Sequence, residues 1–475
     1  MKHTTLGNYA GMMGLTLVTA MTMMLTACKK LIQIPPNSPT EISASEQFAD
    51  SATTMTAMAD IYDYPASQGT GFTFNDGLLS VCTGLSSDEI SIGSNPQPGY
   101  PQFLEYGVTP LNSTVNSMWI DPYTGIYAVN AVLSGVATSP GISASLKTQL
   151  TGELRFVRAL YYFDLVNLFA AVPLVTTTDY TVSSKIGRTP VDSINAQIMT
   201  DLQSAQQALP VAYPSPGHLR PNLYTVKALL AKIYLYQKNW QAAYNAADTI
   251  ISSGLYSLVP NLDNVFLDGS TEAIWQLPAT GVGAGDVTTD AHNYVPETSG
   301  TAPNYPLTSY LVNAFEPGDQ RLQNWTGMAI VSTGSANDTL YYPYKYKNVS
   351  LTSPTTEDFM VFRLAEQYLI HAEAAAELGK LGTAISDLNT VRARAGLAAT
   401  TAATQTDLLT AIMHERQVEL FTEWGNRWFD LNRTGTAGTV LNAEKGGFQP
   451  YMALYPVPFS QIQVNILLGQ NPGYN

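Results

Sequence analysis

The sequence predicts a mostly α-helical fold, a scaffold of tetratricopeptide-like helical hairpins carrying long irregular loops and a few short strands. Three observations predict it. Residues 222–253 and 361–396 each read as helix, short turn, helix, with small residues such as Ala228, Ala231, Ala242 and Ala246 placed where two helices cross. Residues 145–169 keep helical apolar spacing throughout. Residues 64–114 and 257–358 are instead rich in Gly, Pro, Asn and Ser with scattered aromatic residues, the composition of long structured loops.

The elements follow in order. Residues 1–27 read as a secretory signal: Lys2 is the basic start, residues 4–27 carry no charge, and small residues close the run. A spanning helix is the alternative, but Gly11, Gly14 and several threonines dilute the segment. The closing Leu25-Thr26-Ala27-Cys28 looks like a lipobox, with cleavage before Cys28 and lipidation of its sulfur. Residues 28–45 form a lipidated tether in which three prolines block helix. A helix is expected over 46–60, then loops over 64–114. Helices follow from 115, over about 145–169 with Pro173 as the stop, and over about 192–208 and 222–237, the last continuing to a stop at Gly254. "EAIWQL" and "DTLYYPYKY" read as strands between the two hairpins. The second hairpin turns at 379–382 and stops at Gly396. A last helix covers 406–424, before an irregular tail. The expected organisation is one domain over 46–475, with an N-terminal part to residue 256 and a C-terminal part from 257.

Composition narrows the function. The 475-residue chain has a formal charge of −14, which argues against nucleic acid or anionic lipid as the main partner. Charged residues make up only 13%, against ~25% in ordinary soluble domains, and tyrosine, at 27, outnumbers the other aromatics. Such a neutral, Tyr-rich surface suits neutral hydroxylated ligands. There are two cysteines, so lipidation of Cys28 leaves Cys82 without a disulfide partner in the chain. Acyl chains would anchor the protein, since each buried methylene adds roughly 0.8 kcal/mol.

Motifs for catalysis are not found. No HExxH, nucleophile elbow, phosphate loop or dinucleotide motif is present. Glu415, Glu419 and Glu423 are spaced i, i+4, i+8, but glycosidase carboxylates come from different elements across a cleft. With Arg416, Arg427 and Arg433 interleaved, they read as a structural ionic network. His371, beside an alanine-rich face, reads as a core histidine, and "DNVFLDGSTE" lacks the alternating acids of a calcium loop. No catalytic residue, metal ligand or cofactor is expected.

Four collinear stretches carry a family resemblance: "ELRFVRALYYFDLVNLFAAVPL" (153–174), "FRLAEQYLIHAEAAAELG…AISDLNTVRARAGL" (362–397), "HERQVELFTEWGNRWFDLNRTG" (414–435) and "YPVPFSQIQVNILLGQNPGY" (455–474). They are similar to the helical signatures and closing segment of the SusD/RagB family. The resemblance implies a SusD-like α-α superhelix and an outer-membrane lipoprotein at the cell surface of a Gram-negative bacterium. It also implies capture of oligosaccharide or polysaccharide for a SusC-like TonB-dependent outer-membrane transporter. A peptide or another nutrient as ligand, or a helical-repeat adaptor without a ligand, are the alternatives. Two departures stand out: no acidic cluster follows Cys28, and Trp424 precedes Gly425 in the Glu-Gly position. The signature residues, among them Arg155, Arg158, Tyr162, Asp164, Arg427, Trp428, Asp430 and Arg433, read as packing and buried pairs. Trp119 and Trp275 read as core.

Recognition is expected in the loops. A sugar offers an apolar C–H face to an aromatic ring and a rim of hydroxyls to Asp, Asn or Arg. The loop candidates with both chemistries are Phe72, Phe74, Asn75 and Asp76; Asp88, Asn95 and Tyr100; and Asn293, Tyr294, Asn304 and Tyr305.

Overall fold

A computed structural model describes residues 43–63, 73–93, 97–279, 287–298, 300–332, 337–349 and 356–474. The signal, Cys28, most of the tether, Phe72 and Asn95 lie outside the described residues. The N-terminal part contains α1 (Ala44–Gln47), α2 (Ser51–Asp63), a π-helical turn (Phe74–Leu78) running into α3 (Leu79–Ser86), and α4 (Pro101–Leu104). Then come α5 (Ser113–Thr138), α6 (Ala144–Phe169), α7 (Tyr180–Ser183), α8 (Val191–Ala208), α9 (Leu223–Tyr236) and α10 (Trp240–Ile251). The C-terminal part contains β1 (Ala273–Leu277), α11 (Thr289–Tyr294), α12 (Ser309–Ala314), α13 (Gln320–Asn324), β2 (Thr326–Ser332), β3 (Asn337–Pro343) and β4 (Phe359–Arg363). It closes with α14 (Leu364–Glu377), α15 (Leu381–Arg394), α16 (Gln405–Glu419), α17 (Asn426–Arg433), α18 (Ala437–Glu444) and α19 (Phe459–Val464).

The long helices begin where the sequence supplies caps. Asn112 accepts from the backbone of Thr114 and Val115 at the start of α5, and Ser143 from Leu146 at the start of α6. Asn222 and Thr225 form a reciprocal capping box on α9. Helix α6 ends at Phe169, as the expected span over about 145–169 has it, and its stop is Ala170 at φ +58°, ahead of Pro173. It packs against α5 and α8, and Arg158 ties the three together: its guanidinium donates to both Asp201 oxygens (2.9 and 2.7 Å) and to Asn130 (2.7 Å).

The two hairpins, α9–α10 and α14–α15, stack side by side. Ala231, Ala243, Ala246 and Ala247 meet Ile370 and Ala374, all buried. Ala372, Ala375 and Ala376 meet Ala384, Leu388 and Val391. Alanine at the crossings lets backbones approach, which is why sequence spacing alone made these hairpins readable. His371 is a core residue as expected, with Nδ1 2.6 Å from Asp387 and its ring 4.0 Å from that of Tyr244. Trp119 and Trp275 are likewise buried, and Phe156 meets Trp275 edge-on at 5.1 Å across the two parts of the chain.

Several expectations are corrected. The second hairpin does not start at 361: residues 359–363 are β4, antiparallel to β1, and the helix begins at Leu364. The 64–114 stretch is not all loop. Residues 79–86 are helical after a turn at 74–78 in which Asp76 and Gly77 leave helical backbone, and all eight residues of α3 are buried, so no polar face marked its period. The helix over 46–60 is interrupted at 48–50. The C-terminal tail carries α17, α18 and α19.

The last long helix, α16, ends at Glu419, so Glu423 lies beyond it. The three glutamates do enter an ionic network, but with arginines remote in sequence. Arg321 donates to Glu415 (2.7 Å) and Glu419 (2.8 Å), and Arg363 to Glu272 (2.9 Å) and Glu423 (2.8 Å). Both Arg363 and Arg394 also reach Glu419. Burial alone would raise the Glu419 carboxyl, but Arg394, Arg363 and Arg321 outweigh it and hold it well below the usual range. Arg416 and Arg433 pair instead with Asp430, and Arg433 also with Glu373.

Candidate binding face

The loop candidates come from three stretches of sequence, and the fold brings most of them to one place. The turn at Phe74–Leu78 lies against α11. Gly77, at φ +84°, makes that approach possible: a Cβ there would meet Asn293 Nδ2 at 3.0 Å and Thr289 Oγ1 at 3.2 Å. Helix α11 is fixed by Thr288, whose hydroxyl accepts from Ala291 N (3.2 Å). The Thr289 hydroxyl donates to Asp76. Beside it, Asp290 Oδ1, Asn293 Nδ2 and the Tyr294 hydroxyl are buried with no hydrogen-bond partner among the described residues.

Burial sets the charge of this cluster. Desolvation pushes Asp76 up to about 7, against the lowering effect of the Thr289 hydrogen bond. Asp290 rises to about 8, first by burial and then by repulsion from Asp76 and Glu423. Near neutral pH each carboxyl can therefore carry its proton and donate a hydrogen bond. On the far side of the turn, Phe74 N donates to Asp121 Oδ2 (3.1 Å), and burial raises Asp121 to about 6. Asn75 Nδ2 donates to the Tyr161 hydroxyl (3.1 Å).

A second group continues the floor. The rings of Tyr100 and Tyr305 are 6.0 Å apart, and those of Tyr305 and Tyr294 are 6.3 Å apart. Backbone pairing aligns the two loops that carry them: Gly93 N donates to Asn304 O and Ser91 N to Pro306 O, both at 2.8 Å. Thr308 N closes the pairing on Glu89 O (2.9 Å).

Asp76, Asn293, Tyr294, Tyr100, Tyr305 and Asn304 thus share one region, as do Phe74 and Asn75. The expectation that the rings stand open as stacking platforms is not what the structure shows. Phe74, Tyr100, Tyr294 and Tyr305 are at most 3% exposed, because their rings pack into the main hydrophobic core beneath the loops. Only Asn75 and Asn304 among the described candidates are half-buried. Asp88 belongs elsewhere: fully buried, it receives two bonds from Arg427 (2.7 and 2.6 Å) and one from Gln417 (3.0 Å). The described candidates therefore form the floor of this face.

Thr289 and Asp290 escaped sequence reasoning. The available signal was the Thr288 cap, which places Asp290 one turn before Asn293 on the same helix face. Among the described residues no group of three or more His, Cys, Asp or Glu side chains could hold a metal ion.

Comparison with known proteins bears on this geometry. A family model described as "SusD family" matches residues 284–474, and one described as "Starch-binding associating with outer membrane" matches residues 97–235. The chain is similar to a SusD-like protein of Formosa agariphila, with 29% identity over 425 residues, covering 76% of this chain and 79% of that one. It is also similar to the starch-binding protein SusD of Bacteroides thetaiotaomicron, with 37% identity over 136 residues, covering 27% of this chain and 24% of that protein. Among solved structures, a SusD superfamily protein from Parabacteroides distasonis matches with a TM-score of 0.77 at 23% identity, over 91% of this chain and all of that one (100%). A laminarin-binding SusD-like protein matches with a TM-score of 0.73 at 26% identity, over 90% of this chain and 100% of that one.

Proposed function

Since the chain belongs to the SusD/RagB family, we propose that it is a surface-exposed lipoprotein that captures oligosaccharide or polysaccharide for import. The observation that carries this reading is the convergence of the turn at Phe74–Leu78, α11 and the 300–308 loop into one floor. That floor combines carboxyls able to hold a proton, amides and hydroxyls, the chemistry that meets sugar hydroxyls. Starch binding and laminarin binding by similar proteins support a glycan as the ligand. Asn75 and Asn304 would receive the hydroxyl rim, with Asp76, Asp290 and the buried Asn293 fixing the turn and helix beneath them. Phe72 and Asn95 are the proposed contacts from the adjoining segments.

The protein binds and does not cleave. Cys28 carries the lipid that holds it to the outer membrane, and no helix among the described residues is long and apolar enough to cross a bilayer. Solute passage then falls to a partner, a SusC-like TonB-dependent transporter. Tethering raises the binder's effective concentration at the transporter mouth, so modest intrinsic affinity suffices. Calorimetric titration of residues 29–475 with laminarin and with maltooligosaccharides, with chromatography of the recovered glycan, tests the reading. Saturable binding with the glycan recovered intact is expected; release of shorter products overturns it.

A further inference from the structure

The candidate face has a third wall that its loops do not supply. Helix α5 passes beside the turn at Phe74–Leu78 and presents Asp121 to it. One carboxylate oxygen, Oδ2, accepts from Phe74 N (3.1 Å), so the side chain is aimed at the first amide of the turn. The other, Oδ1, accepts nothing from the described residues. One helical turn further on, Gly125 leaves room for the Tyr161 ring, which a Cβ there would meet at 2.5 Å. The Tyr161 hydroxyl receives Asn75 Nδ2 (3.1 Å), which turns the amide and leaves Asn75 Oδ1 without a donor. Asn75 and Asp121 are both half-buried, unlike the rings beneath them.

Asp121 is also a carboxylate without a cation. Other inward acids of the scaffold each meet an arginine: Asp88 meets Arg427, Asp201 meets Arg158 and Asp430 meets Arg416. Burial raises Asp121 to about 6 against the Phe74 hydrogen bond, and no charged side chain enters that balance. An unpaired, half-buried carboxylate beside a candidate binding face marks a place for a ligand's donors.

We infer that Asp121 is a ligand-binding residue of the glycan site, where its Oδ1 and Asn75 Oδ1 accept the two hydroxyls of one vicinal diol on a neutral sugar. The inference rests on the glycan reading above and adds the wall that selects the ligand. Two acceptors on one edge of the face, with no cation beside them, suit a pair of O–H groups. Asp121 is ionised above about pH 6, and a hydrogen bond to a charged acceptor is roughly twice as strong as a neutral one. The same charge turns away uronate and sulfate groups, which the formal charge of −14 also disfavours.

The test is calorimetric titration of the lipidated full chain in mild detergent. The probes are laminarin, malto-, xylo- and mannooligosaccharides, uronate oligomers from alginate, and glucosamine oligomers. Asp121→Asn is compared with wild type. Its amide oxygen still accepts from Phe74 N, so the melting temperature should not fall. About a tenfold loss of affinity for the bound neutral glycan is expected near neutral pH. Wild-type affinity should drop about tenfold between pH 7 and 5, as a carboxyl of about 6 takes up its proton, and Asp121→Asn should show no such drop. Burial of Asp76 and Asp290 makes the fold more stable in acid, so unfolding does not imitate this trend. Wild-type affinity in Asp121→Asn, or the same acid dependence, overturns the inference and leaves glycan binding standing. Alginate oligomers bound as tightly as the neutral ones overturn it too, and glucosamine oligomers bound more tightly overturn it in favour of an ammonium ligand. Failure of every glycan to bind wild type overturns the glycan reading and the inference with it.

Discussion

Arg427 clasps Asp88 through two charge-assisted hydrogen bonds of 2.7 and 2.6 Å, joining the end of α3 to α17 across more than 300 residues of sequence. Both groups are at least nine-tenths buried. Asp88→Asn leaves a guanidinium without its counter-charge, and breaking a buried pair this way costs about 3–5 kcal/mol. A clear drop in melting temperature is expected, while the fraction that remains folded keeps its glycan affinity. Affinity lost without a change in stability would return Asp88 to the ligand.

Glu419 accepts from three arginines and is fully buried. Glu419→Gln keeps the shape and removes the charge that balances them. Denaturant titration should show a loss on the order of 3–5 kcal/mol, larger than for an exposed acid such as Asp338→Asn. Glycan chromatography should look the same for both variants, since the network serves the scaffold.

The Asp76 and Asp290 carboxyls make stability depend on pH. Their folded values, about 7 and about 8, lie above the unfolded value near 4. The folded state therefore holds more protons between those limits, and stability falls as pH rises through that window. Each group adds a slope of up to about 1.4 kcal/mol per pH unit. Asp290→Asn should flatten the profile between pH 5 and 8, and urea unfolding at several pH values checks it. An unchanged slope would mean the carboxyl is already ionised there.

Gly77→Ala places a Cβ at φ +84°, 3.0 Å from Asn293 Nδ2. Left-handed backbone costs a non-glycine residue roughly 1–2 kcal/mol, and the Asn293 amide has to give way as well. Laminarin or maltooligosaccharide affinity should fall further in this variant than in Asp88→Asn at equal folded fraction. Equal affinities would separate the turn from binding.

The anchor is tested at Cys28. Cys28→Ala should abolish incorporation of labelled palmitate and signal removal by the lipoprotein peptidase. Continued labelling would place the lipid on another residue.

Much of the scaffold was legible because it is periodic. The alanines of α9, α10, α14 and α15 recur at helical spacing, and each crossing is read within one hairpin. The partners of Glu415 and Glu419 were not legible, since Arg321 lies 94 and 98 residues away in sequence. Helix α3 escaped for a different reason: every residue of it is buried, and a helix without a wet face has no amphipathic period. At the candidate face the residue types were found but their exposure was not. Tyr100 is covered by Tyr305, a neighbour brought in by backbone pairing more than 200 residues downstream. Asp290 was missed because its significance lies in facing Asp76, which only the tertiary fold decides.

Asn471 carries a consequence for biogenesis. Its amide donates to Phe169 O, at the C-terminal end of α6, and to Tyr455 O, while Arg188 donates to its side-chain oxygen. A chain leaving the ribosome has completed α6 some 302 residues before this latch appears. Helices α5, α6 and α8 can pack on one another through Arg158 once residue 201 is made, but the end of α6 waits for its last partner until synthesis is nearly complete. Ribosome-stalled chains ending before residue 455 should be cut more readily near Phe169 than in the body of α6, and release of the full chain should protect that end.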